Sequence, residues 1–179
     1  MEALEPATLV TMLSVVVALF GVIVLAITVY EYTRLRALRD DFERFKAQWR
    51  SEVQDLQKAL QRVIASYGAS DPDARIELLE EAVQIYPQVF NGYNALGYAY
   101  LAKDEIGRAV DAFHQAIRLH PEQIEGYCDL ARAYLRQGEQ ELAMRYLRQA
   151  LEKDAHQTRE GLRGDGELEH LVERLEAQG

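Results

Sequence analysis

Apolar residues follow three different rhythms along the chain. From Ala7 to Tyr30 they are nearly continuous, and ATLVTMLSVVVALFGVIVLAITVY holds no charged residue in 24 positions. At 1.5 Å rise per residue such a run makes roughly 36 Å of helix, enough to cross a bilayer core with some tilt. A cleaved signal would carry basic residues ahead of a shorter apolar stretch. The preceding MEALEPA has two glutamates and no lysine or arginine. The pattern therefore predicts a transmembrane helix over 7–30, behind a short extracytoplasmic tail at 1–6.

The second rhythm is a heptad. Leu35, Leu38, Phe42, Phe45, Trp49, Val53, Leu56, Leu60, Val63 and Tyr67 are spaced 3, 4, 3, 4, 4, 3, 4, 3 and 4. The 3-4-4 interruption at Trp49 is a stutter that locally unwinds a left-handed supercoil. After the apolar run no proline or glycine occurs before Gly68, so a coiled-coil-like helical stalk is expected over 31–55. Two readings of its seam stay open. It pairs with the same seam of a second subunit as a homo-oligomer, or it lies on a downstream domain or in the lipid interface, which Phe42, Phe45 and Trp49 suit.

The third rhythm is an internal repeat. A shift of 34 positions sets Tyr93 on Tyr127, Leu96 on Leu130, Tyr100 on Tyr134, Ala109 on Ala143, Phe113 on Leu147 and Ala116 on Ala150. One period earlier Leu79 falls on Phe113, Ala82 on Ala116 and Pro87 on Pro121. Such a period predicts stacked helix-turn-helix units, here over 90–123 and 124–157. Small residues at Gly97, Ala109, Ala116, Ala131, Ala143 and Ala150 let helices approach, while the large ones fill the layers between them. Pro87 and Pro121 end one helix and suit the start of the next.

The flanks complete the array. Ser70, Asp71 and Pro72 form a helix start, and DARIELLEEAVQIYP reads as the second helix of a degenerate unit over 56–89. Its first helix is expected to be the end of the heptad segment. From His156 a short helix is expected, and over the capping segment, 158–179, a break at Gly164 to Gly166 precedes a final helix with Leu168, Leu171, Val172 and Leu175 on one face, as a cap needs.

At these positions the chain resembles the tetratricopeptide repeat family, whose pattern is W-x2-L-G-x2-Y, then A-x3-F, an alanine and a closing proline. Tyr93, Leu96, Gly97, Tyr100, Ala109, Phe113, Ala116 and Pro121 fit it, with Tyr in place of Trp. The next unit keeps Tyr127, Leu130, Tyr134, Gly138, Ala143, Leu147 and Ala150, with Ala131 for the glycine and Ala155 for the proline. The resemblance implies a protein-binding groove lined by the first helix of each unit. Its walls would be Asn91, Asn94, Tyr98 and Leu101 from one unit and Glu125, Cys128, Arg132, Leu135 and Arg136 from the next. Some members hold chaperone C-termini through a Lys/Asn/Arg carboxylate clamp, whose lysines are missing here. The layout is similar to bacterial inner-membrane regulators of lipopolysaccharide assembly, without their cysteine-rich metal module, and to mitochondrial import receptors. The first likeness implies a bacterial inner membrane.

Charge refines this picture. Arg34, Arg36 and Arg39 follow the apolar run and nothing basic precedes it, so the positive-inside rule sets the C-terminal side in the cytoplasm. The net charge of −9 is uneven: six basic and six acidic residues cancel over 31–55, whereas 56–179 carries 21 acidic against 14 basic. An acidic domain is held off nucleic acid, so a nucleic-acid partner is disfavoured.

Candidate chemistry is sparse. Cys128, the single cysteine, excludes an internal disulfide, and the four histidines lack metal-ligand spacing. No catalytic, metal or cofactor motif is present, and an enzyme is not expected. Arg132 one turn from Cys128 could lower the thiol pKa, although a lone cysteine on a repeat helix packs as a small hydrophobe. Arg132 and Arg136 could together take a carboxylate, or pair with Asp129 or Glu125 by helical spacing. The expectation is an all-α, membrane-anchored adaptor that docks a protein partner and assists assembly or regulation of a membrane complex. The alternative is a structural accessory subunit held by its anchor and stalk.

Overall fold

The computed structural model describes residues 6–178, and every regular element among them is an α-helix. The helices are α1 (Pro6–Gly68), α2 (Pro72–Ile85), α3 (Gly92–Ala102), α4 (Ile106–Leu119), α5 (Glu125–Gln137), α6 (Gln140–Leu162) and α7 (Gly166–Gln178). The chain divides into two compact units, Met1–Glu52 and Val53–Gly179.

In the first unit residues 6–52 are helical throughout, and every side chain is exposed. Residues 1–5 of the expected tail lie outside the described residues. The apolar stretch is long and apolar enough to cross a membrane, judged by length and composition. Its hydroxyls suit such a solvent: Thr11 donates to the Ala7 carbonyl at 2.9 Å, Ser14 to Thr11 at 2.8 Å and Thr28 to Val24 at 2.8 Å. Groups bonded back to their own helix need no water. Beyond the run the charges pair along the exposed helix, Arg44 with Asp41 and Lys46 with Glu43 at 3.3 Å. Leu35, Leu38, Phe42, Phe45 and Trp49 stand exposed, with the Phe45 and Trp49 rings stacked at 6.5 Å.

In the second unit α2 to α7 pack in chain order, each on the next, and α3 also touches α5. The last turns of α1 belong here. Ala59 and Val63 are buried in one core cluster with Ile76, Leu79 and Ala82 of α2. Arg62 pairs with Glu81 at 2.7 Å. Asp71 caps α2, accepting from the Asp73 and Ala74 amides at 3.4 and 3.2 Å, and Pro72 occupies a first-turn position that needs no amide donor.

The repeat residues explain the stacking of α3 to α6. Leu96, Gly97, Tyr100, Ala109, Phe113, Ala116, Tyr127, Leu130, Ala143, Leu147 and Ala150 are buried, and Tyr93 and Tyr134 half-buried. A Cβ on Gly97 would lie 2.5 Å from the fully buried Phe113 ring, so only glycine admits that ring. Pro121 is exposed and acts through its backbone: the Tyr127 hydroxyl donates to its carbonyl at 3.0 Å, tying the α4–α5 loop to α5.

Past the second repeat α6 runs on to Leu162, but Asp154 breaks it at φ −153°, ψ 98°. The Asp154 carboxylate accepts from the Gln157 amide at 2.8 Å and its carbonyl from the Thr158 hydroxyl at 2.7 Å, so a fresh helical segment begins there. After Gly164, at φ 91°, α7 buries Leu168, Leu171, Val172 and Leu175 against the second core.

A cleft along the first helices of the repeats

The face of α3 left free by packing comes together with the matching face of α5. Asn91 just ahead of α3, Asn94 and Tyr98 on it, and Glu125, Cys128 and Arg132 on α5 line a cleft of ≈ 830 Å³. Ser66 and Tyr67 of α1, Arg75 and Leu79 of α2, and Gln157 and Glu160 of α6 complete it. Leu79 fits the repeat period as a packing residue, and the others were not anticipated because they come from flanks that lack the repeat signature.

Three of the nine expected groove residues stand elsewhere. Leu101 is buried in the first core with Leu130 and Ala133, because α5 covers the last turn of α3. Arg136 seals that crossing by donating to the Leu101 carbonyl at 3.0 Å and reaching Asp104 at 3.4 Å. Leu135 packs on the second core. Arg132 and Arg136 thus do not form a joint carboxylate fork.

The polar centre of the cleft is a bonded cluster. The Tyr98 hydroxyl donates to Asp129 Oδ1, and Arg132 donates to that oxygen at 2.9 Å and to the Tyr98 oxygen at 2.7 Å. From its other side Arg132 gives Nε to Asp165 at 3.0 Å. Tyr98 meets Phe113 edge-on at 5.5 Å, which fixes its ring. Burial, then the neighbouring Asp129 charge, pushes the Tyr98 phenol above its ordinary value. Burial also raises Asp129, against the opposing bonds from Tyr98 and Arg132.

The Cys128 thiol behaves opposite to the activated thiol that Arg132 could have made. Burial, with Asp129 adding to it, pushes its pKa up to about 12. At neutral pH it is a protonated, apolar side chain.

Other donors are engaged by the protein itself. Asn91 gives its amide to the Tyr67 hydroxyl at 2.7 Å. Arg75 donates to the Ser66 and Ala69 carbonyls at 3.2 and 2.8 Å, satisfying the end of α1. One group is unsatisfied: Asn94 Oδ1 is buried with no hydrogen-bond partner among the described residues.

Antiparallel helices stacked in pairs, with one helix of each pair facing a shared cleft, define a helical-repeat scaffold. The tetratricopeptide repeat profile matches residues 90–123 and 124–156. Residues 90–156 of the chain are thus two tetratricopeptide repeats. The chain is similar to a crystal structure of MamA, at 25% identity and a TM-score of 0.53 over 60% of this chain and 64% of that one. A second MamA structure gives 26% identity and 0.52 over 57% and 58%. The chain thus spans less than two thirds of these MamA chains. The TPR2B domain of yeast Sti1, in its complex with pHsp70, shares the fold at 20% identity and a TM-score of 0.55, over 70% of this chain and 99% of that one. No curated protein matches the chain.

Proposed function

We propose that the chain is a membrane-anchored adaptor that docks a segment of a partner protein in the α3–α5 cleft, at the cytoplasmic face of a membrane, and so assists assembly or regulation of a membrane complex. The observation that carries this reading is Asn94 Oδ1, buried on the cleft wall and unpartnered. A buried acceptor without a donor is costly, and a backbone N–H of a docked segment satisfies it. The Sti1 domain, alike in fold, was solved with pHsp70; here an unidentified protein segment is the occupant. The apolar run supports the anchor, and Arg34, Arg36 and Arg39 after it support a cytoplasmic repeat domain. A bacterial inner membrane suits this layout.

A second reading rests on a different observation, the exposed apolar seam of Leu35 to Val53. In it the chain is a structural subunit whose anchor and stalk make the main contacts. Photo-crosslinking in native membranes separates the two. A crosslinker at Asn94 of the full chain should trap a second protein; trapping only from Phe42 or Trp49 would favour the subunit.

A further inference from the structure

We propose that the cleft selects a basic, donor-rich segment of its partner and rejects an acidic one. This rests on the docking reading above and adds the chemistry of the occupant. Two arginines line the cleft, and both are already engaged. Arg75 closes the end of α1 through the Ser66 and Ala69 carbonyls. Arg132 stands between two carboxylates, Asp129 at 2.9 Å and Asp165 at 3.0 Å, so the cluster around it carries net negative charge.

What remains for a ligand is acceptor capacity. Asn94 Oδ1 has no partner among the described residues. Glu125 is exposed, and its contact to the Gln157 amide is long, at 3.4 Å. A neighbouring cleft of ≈ 340 Å³ shares Asn94, Glu125 and Gln157 and adds Glu122, whose side chain is 92% exposed and whose contact to Lys153 is long, at 3.7 Å. The two clefts make one acceptor-lined path. An extended segment fits it with a backbone N–H on Asn94 and a lysine or arginine at Glu125. A carboxylate there would meet Glu125 and the negative cluster, and the two arginines among the described residues lining the cleft are already engaged. The occupant is thus an internal basic segment of a protein rather than an acidic chain end.

The test uses the full chain in nanodiscs of zwitterionic lipid, which keeps cationic peptides off the bilayer. Two labelled pools of randomised peptides with blocked ends serve as probes: one contains Lys and Arg but no Asp or Glu, the other the reverse. The basic pool should bind at least roughly tenfold more tightly. Glu125→Lys should abolish that preference, and Asn94→Leu should weaken basic binding. Glu141→Lys makes the same charge change on an exposed position away from the cleft and should leave the preference intact. Melting curves check that each variant folds, and Glu125, being exposed, tolerates exchange. Equal binding of the pools, or a preference for the acidic one, overturns the selectivity and leaves docking standing. Binding of neither pool overturns both. Basic binding that persists in Glu125→Lys, or falls equally in Glu141→Lys, marks non-specific attraction to an acidic protein and overturns the proposal.

Discussion

Asp129 is a carboxylate kept at 7% exposure, and two donors converge on a single one of its oxygens. Burial nevertheless dominates and raises its folded-state pKa above the unfolded value, near 4. Between those two values the folded state binds the proton more readily. Its contribution to stability is therefore greatest in acid and declines as pH rises from about 4 through the folded pKa. Carboxyl-resolved NMR titration should find Asp129 titrating above an ordinary aspartate, and Asp129→Asn should remove this part of the pH dependence of urea unfolding. An ordinary titration would refute the assignment. Gly97 makes the complementary steric case. An alanine Cβ would lie within 2.5 to 2.8 Å of three Phe113 ring atoms, and a ring at zero exposure has nowhere to go. Gly97→Ala should cost about 1–3 kcal/mol in chemical denaturation. Unchanged stability would mean that α3 and α4 separate easily.

At the scale of elements the two repeat turns can be laid on each other. Asp104 and Gly138, 34 positions apart, both adopt positive φ, 61° and 85°. The amide after each returns to a tyrosine carbonyl at 2.9 Å, Glu105 to Tyr100 and Glu139 to Tyr134. Open space surrounds Gly138, so Gly138→Ala isolates backbone strain and should destabilise by about 1 kcal/mol, measured by thermal or urea unfolding. No loss would show that the turn relaxes to another conformation. The helices α2 to α6 were legible because a 34-residue period states the same packing problem twice, and α7 because its apolar residues share one face. Asn91, Asn94, Tyr98, Glu125, Cys128 and Arg132, which line one cleft, were legible through the family resemblance, which places a groove on the first helix of each repeat. Leu101 misled, since spacing cannot reveal that α5 crosses over the end of α3. A short helix was expected from His156 onward, but Asp154 was not read as its cap because the family pattern directs attention to a proline at the next position. The signal was present in the stretch Asp154-Ala155-His156-Gln157, an N-cap with a glutamine at the third helical position. The break there turns Gln157 and Glu160 toward the cleft.

For the whole molecule the question is what covers the seam of the first unit. Leu35, Leu38, Phe42, Phe45 and Trp49 are each 58–65% exposed. Burying such side chains is worth about 1.5–3 kcal/mol apiece, so an aqueous monomer would leave a large driving force unused. A second copy offers the matching seam. With Leu35 at a and Leu38 at d, Asp41 falls at g and Lys46 at the following e, opposite charges across a parallel pair. Arg34 and Arg39 would oppose each other by the same register, at the end nearest the apolar run, where anionic headgroups can neutralise them. Mass measurement of the full chain in detergent should therefore find more than one copy. Phe42→Glu with Phe45→Glu should return it to a monomer while leaving the helical content of the repeats intact. If the unaltered chain is already monomeric, the seam lies on lipid or on another subunit. The same double variant then decides between those by whether the chain still co-purifies with a membrane complex.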